Sequence, residues 1–583
     1  MSSASLDLAY PFARLPFAAS AAIIGVLSVL YLAYQWALPK PLPGIPYNQD
    51  AVKTILGDAV EIQRIKKEGG RPRAWFNLQP ERHNSPLVQA FLAPLSKPVL
   101  ILSDFRESQD ILLRRAKEFD RGPRHVDNFS GLVPWHHIAM KTSDPQFKAN
   151  RELVKDLMTP HFLNTVSGPE IYHNAQHFIE LWKLKAQLAG GRPFKAEDDL
   201  HTMTFDIIKV VALGEGDNQS MTALYLDLVR STAANAQSAS AGQDEPFVFP
   251  ENMPNLDLRA HGTQQEAVGA AATQPFPGLF HKFNNRKPHM KEAFAAKFSM
   301  LDRQVSLGVK RMEAGAEVKS ALDYMMQREL ASAKKAGRAP VFNSPSMYDE
   351  LYGYIGAGHE TSSTSLQWGL KHLAADQRVQ TTLRSSLRAA YADAVSEGRQ
   401  PTFTEIIKTQ VPYLDAVVEE ILRVSGPVKT LFRTAVADTT ILGHHIPKGT
   451  QIFLPVTGPS FTAPAFTIEE SLRSPSCQSH KSNMRSVWDE SNAASFVPER
   501  WLQTEEAGTQ AFDSQAGPML AFSLGIRGCF GRRLAYLQLR ILMTLIVWNF
   551  EFGPLPEELN SFDAVDTLTT KPVKCFVRLA ETH

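Results

Sequence analysis

Cysteine is scarce in this chain, with only Cys477, Cys529 and Cys575 among 583 residues. Three scattered thiols make neither a disulfide framework nor a zinc site, and they suit a body that lies in a reducing, cytosol-facing compartment. An excess of one charge is also missing. The 61 Lys and Arg against 60 Asp and Glu leave +1, which argues against nucleic acid as the main partner. No internal repeat, charge block, flavin fingerprint or nicotinamide fingerprint is present, so any electrons the chain uses come from a separate protein. A long hydrophobic run occurs once. From Leu15 to Pro39 there is no charged residue, a length that crosses ~30 Å of hydrocarbon at ~1.5 Å per residue. The expected organisation is a short N-terminus at 1–14, one transmembrane helix at 15–38 and a stiff Pro-rich hinge at 39–47. A single large catalytic domain then fills 48–583.

The body is mostly helical in pattern. KPVLIL (97–102) predicts a strand, and Ser103 and Asp104 predict the cap of a following helix. Residues 121–141 are irregular. Asp144 and Pro145 open a helix that puts Phe147 and Arg151 on one face. Residues 233–277, rich in Ala, Ser, Gln, Gly and Pro, predict a long loop or insertion. One long helix follows over SMYDELYGYIGAGHETSSTSLQWGLKHLAA. Glycine inside a helix costs about 1 kcal/mol, so Gly356 and Gly358 are expected to make room for a small ligand. Pro412 opens a helix carrying Glu420 and Arg423 three residues apart, and Arg500 lies in PERW further on. Strands and turns follow from Val428.

Near the C-terminus stands FSLGIRGCFG (522–531), directly before the helical pattern RRLAYLQLRILMTLIV. Cations and a helix N-terminus favour a thiolate there, and glycines let the backbone approach a flat partner. An inert buried cysteine in a Gly-rich turn fits the same residues.

Phe522, Gly525, Arg527, Cys529 and Gly531 match FxxGxRxCxG, and on them the chain resembles the cytochrome P450 family. AGHETS matches that family's [AG]Gx[DE]T[ST], and Glu420, Arg423 and PERW match its ExxR and PERF-type elements. The resemblance implies a mainly α fold with a small β region, preceded by the one transmembrane helix, and a haem b cofactor. It implies Cys529 as the axial ligand of the iron, and Arg527, Arg151 and Arg433 as partners of the haem propionates. Phe522 would pack beside the sulfur, with Gly525 and Gly531 shaping the turn. Glu360 and Thr361 would be the catalytic proton relay, and Glu420, Arg423 and Arg500 a structural triad. The family usually has Trp where Phe147 stands. The implied activity is O2-dependent monooxygenation of a medium-sized apolar substrate in specialised metabolism. NADPH–cytochrome P450 reductase would supply electrons to a cytosolic body on the endoplasmic reticulum membrane, with residues 1–14 in the lumen. A haem-thiolate isomerase or dehydratase, and a cofactor-free single-pass membrane protein, are the alternatives. Dependence on NADPH and O2, and the CO spectrum, separate these.

Overall fold

The computed structural model describes residues 17–214, 220–233, 242–480, 490–505 and 510–582. The expected N-terminus at 1–14, and parts of the 233–277 and 458–491 segments, lie outside them. The run at 15–38 is helical over Phe17–Ala37, with Ile24, Val29, Leu30 and Trp36 exposed. Among the described residues, however, no helix is long and apolar enough to cross a membrane. The Pro-rich segment after Phe17–Ala37 is docked on the body. Gln89 accepts from the Leu42 amide (2.8 Å) and donates to the Leu42 and Ile45 carbonyls (2.9 and 2.7 Å), and Ile45 is buried.

The body is helical around a small five-stranded sheet, in the order Leu87–Ala90, Val99–Leu102, Gln451–Pro455, Thr430–Ala435 and Phe119–Asp120. All pairings are antiparallel except the parallel one between Val99–Leu102 and Gln451–Pro455. Asp104 caps the helix Phe105–Leu113 through the Glu107 amide at 2.7 Å, because its side chain replaces a backbone acceptor the first turn lacks. The main core joins Pro345–Ala375, Glu197–Leu213, Gly168–Ala189, Pro412–Ser425 and Arg532–Asn549.

An expectation changes here. Residues 233–277 do not form one long loop, because Leu256–Ala272 is a helix capped by Asn255. Its sequence is short of large aliphatics, yet alanine is the strongest helix former, and Leu258, Val268 and Ala271 suffice to bury one face. The 458–491 segment is tied to Phe105–Leu113 by a buried Arg473–Asp104 pair (2.7 Å) and by Ser474 and Ser476 donating to Asp110.

Glu419 and Glu420 are adjacent, fully buried carboxylates. Burial pushes the Glu419 carboxyl up to about 7, against the opposing hydrogen bond from Tyr536 Oη. An acid whose native pKa lies above its unfolded value adds stability while protonated. That stability is complete below the unfolded pKa and is lost as pH rises through 7. Glu419→Gln is therefore expected to remove about 3 kcal/mol of pH-dependent loss between pH 4 and 8, read from denaturant midpoints. Equal pH slopes for both proteins would refute this.

Candidate functional site

The turn carrying Cys529 closes on one glycine. Gly525 has φ +68°, and a Cβ there would lie 2.2 Å from the Leu112 carbonyl oxygen, so larger residues are strained and blocked. The Cys529 amide donates to the Phe522 carbonyl at 2.8 Å. Helix Arg532–Asn549 starts directly after the turn. Cys529 and Gly531 line a cavity of about 540 Å³. The cysteine side chain is open to that cavity while protein surrounds it. Burial pushes its thiol up, opposed by a hydrogen bond from the Gly531 backbone and by Arg532 and Arg151. Desolvation thus works against the thiolate that the nearby cations and the helix N-terminus favour, and a cationic partner at the sulfur would stabilise it.

The helix Pro345–Ala375 forms another wall. Gly356 and Gly358 line the cavity, and each also lets a neighbour pack close. A Cβ on Gly358 would meet Ile208 Cδ1 at 2.6 Å, and one on Gly356 would meet Gln265 Nε2 at 2.6 Å. The glycines serve close packing against neighbouring helices. Thr361 lines the cavity and donates to the Ala357 carbonyl at 2.6 Å. Glu360 is buried behind the wall, where Oε1 accepts from Thr569 Oγ1 at 3.0 Å and Oε2 lies 3.7 Å from His201 Nδ1. Adjacency in sequence therefore does not join Glu360 to Thr361. His359 is buried too, its Nε2 at 3.0 Å from the His201 carbonyl.

Cations gather at one region of the same cavity. Arg433 is buried, contacting the Phe432 carbonyl (2.8 Å) and Ser523 Oγ (3.4 Å). Arg527 donates to the Met140 carbonyl at 2.9 Å, and among the described residues its Nη1 has no partner. Burial, and in Arg433 also repulsion from Arg527, pushes both guanidinium groups down to about 10. Arg121 and His125, which spacing did not single out, join them and are pushed well below their ordinary values by burial and by these arginines. The only sequence signal was the basic density of RGPRH. Asp120 offsets both Arg121 and Arg527, as well as Arg433. Arg151 stacks over Phe530 at 4.7 Å, and Arg527 stacks over Phe147 at 4.3 Å. Phe147 cannot donate a hydrogen bond, but its ring face supports the arginine instead.

Behind the cavity Glu420 gathers five donors. Arg423 gives two bonds (2.8 and 2.7 Å), Arg500 one (3.0 Å), and Trp501 Nε1 and the Val497 amide one each (2.9 Å). The three members of the predicted triad are thus in one buried cluster.

Buried guanidinium groups with too few anions and an orphan donor call for negative charge from a ligand. Haem b has two carboxylates, a flat apolar body and an iron that takes a thiolate, so the residues present fit it.

The family model "Cytochrome P450" matches residues 81–459 and 481–577. The chain is 38% identical to "Cytochrome P450 monooxygenase TRI13" of Fusarium sporotrichioides, over 95% of this chain and 97% of the relative. It is 35% identical to "Cytochrome P450 monooxygenase GME11363" of Pestalotiopsis microspora, over 97% and 99%. Among solved structures, a crystal structure of a cytochrome P450 (CYP102L1) superposes with a TM-score of 0.64 at 18% identity, covering 93% of this chain and all of that one, a likeness of fold. Sharing this much of its length with that family, the chain belongs to the cytochrome P450s and is a monooxygenase that carries haem b.

Proposed function

We propose that this monooxygenase hydroxylates or otherwise oxidises a medium-sized apolar metabolite of fungal specialised metabolism, with electrons from NADPH–cytochrome P450 reductase. The observation that carries the substrate class is the apolar part of the cavity's wall away from the arginines, formed by Leu132, Val133, Val268, Leu431 and Phe453. Such a lining suits an apolar molecule beside the cofactor, and the fungal monooxygenases it resembles support the metabolic setting.

When bound, haem supplies iron-centred activation of dioxygen. The chain's residues do the rest. Cys529 is assigned to hold the iron, held in turn by its amide bond to Phe522 and by the turn at Gly525 and Gly531. Arg527, Arg433, Arg151 and Arg121 would hold the propionates. Thr361 on the wall and Glu360 behind it would hold protons for oxygen reduction. The apolar lining excludes bulk water.

Purified protein, reduced under CO, is expected to show the long-wavelength band of thiolate-ligated haem. Product formation is expected to require both NADPH and O2. Turnover without either would refute the reading.

The proposal places the chain on the endoplasmic reticulum membrane as a single-pass protein with a cytosolic body. The exposed apolar side chains between Ile23 and Trp36 support it, since such a patch seeks cover. The full chain is expected to stay in the membrane pellet after alkaline carbonate washing, and a chain starting at Pro39 to be released. Release of both would overturn the anchor.

A further inference from the structure

Thr361 and Glu360 make no hydrogen bond to each other. The hydroxyl that Glu360 does hold belongs to Thr569, at 3.0 Å. Thr569 is buried and also lines the cavity. Its Oγ1 lies 2.9 Å from Thr364 Oγ1 as well. The loop that presents it is fixed, because residues 564–566 and 570–572 pair as a hairpin and Arg73 grips the Thr567 and Leu568 carbonyls at 2.6 and 3.3 Å. On the far side of Glu360, His201 Nδ1 stands 3.7 Å from Oε2, and the His201 side chain is 30% exposed. That distance is just beyond a direct hydrogen bond, so a small rotation of either side chain closes it. The ion pair Lys571–Glu197 (2.8 Å) lies at the same outer edge.

We propose that Thr569 passes protons into the cavity, fed by Glu360, with His201 as the solvent-side entry. The idea rests on the reading of Glu360 as a proton donor. The step balances without moving an electron. Thr569 Oγ1 releases its proton to an oxygen in the cavity while Glu360 gives its own proton to the same hydroxyl. A protonated His201 then restores Glu360 and is itself recharged from solvent. Glu360, Lys571, Glu197, Asp198, His261 and His359 are the titratable groups that face His201. Burial lowers the His201 pKa, and Glu360 opposes this, so the imidazole gives up its proton readily.

The test uses the full-length holoenzyme with reductase and NADPH, without added substrate, so that the substrate need not be known. Thr569→Val is expected to slow NADPH oxidation about ten-fold and to enlarge its solvent deuterium isotope effect, the lower end of what a positioned proton donor contributes. Thr569→Ser, which keeps the hydroxyl, is expected to restore both. A second readout needs no turnover. In pH-difference infrared spectra of the resting holoenzyme, the carboxyl band that Glu360→Gln abolishes should move to higher wavenumber in Thr569→Val, because a hydrogen bond to it is lost. If Thr569→Val matches wild type while Glu360→Gln is slow, protons leave Glu360 by another path and the proposal is overturned. If Glu360→Gln also runs at the wild-type rate, the reading of Glu360 itself fails, and this proposal with it.

Discussion

Cys529→Ala is expected to abolish NADPH- and O2-dependent turnover and, with it, the thiolate-type CO band. No other described sulfur can substitute, since Cys477 and Cys575 are buried and absent from the cavity lining. Burial pushes both of their thiols up, Cys477 to about 11 and Cys575 to about 12, which leaves them protonated and inert. The loss falls on chemistry rather than on folding. The Cys529 side chain is open to the cavity, so its truncation leaves no void in the packed core. The apo-protein should keep its unfolding midpoint to within about 1 kcal/mol, as substitutions away from packing do. Turnover retained at even a few per cent, or a collapse of apo-protein stability, would contradict the ligand assignment.

The second large effect belongs to Glu420. Its carboxylate has no exposure and satisfies two guanidinium groups, an indole and an amide. Arg423 also reaches the Phe461 and Ala493 carbonyls at 2.6 and 2.7 Å. Glu420→Ala leaves two buried cations facing one another without their shared anion. Breaking a buried pair from one side costs about 3–5 kcal/mol, a large share of the ~5–15 kcal/mol that holds a folded protein together. Glu420→Ala is therefore expected to be mostly unfolded at growth temperature and to lose haem. The double variant with Arg423→Ala should lose less than the sum of the two single losses, since each single change has already stranded the other partner. Additive losses, or a single loss under about 1 kcal/mol, would show that the cluster does not lock this region.

What spacing could reveal, and what it could not, follows from how far apart the partners lie. The Cys529 turn, the long helix with Thr361 and the Glu420–Arg423 pair are local patterns, each contained in one continuous stretch of chain. The fourth and fifth donors to Glu420, at Val497 and Trp501, lie 77 and 81 residues away. The partner of Glu360 is 209 residues away. Only folding brings these together. Arg121 was hidden because a single arginine after a short strand carries no periodicity, and its meaning comes from Arg433 and Arg527 across the cavity. Leu256–Ala272 was misread because a poor hydrophobic stripe hid a good helix former. Gly356 and Gly358 line the cavity as expected, and their missing side chains also admit Gln265 and Ile208 close against the helix.

The crowded guanidinium groups of Arg121, Arg433 and Arg527 have a consequence for how much active protein a cell accumulates. Their mutual repulsion burdens only the native chain without cofactor. Folding and cofactor uptake are therefore one linked equilibrium, in which free haem acts as a mass-action term. At a hundredfold excess over its dissociation constant, that term adds about 2.7 kcal/mol to the native state. Yield of this protein in a heterologous host should accordingly follow the supply of haem precursor more steeply than the supply of message.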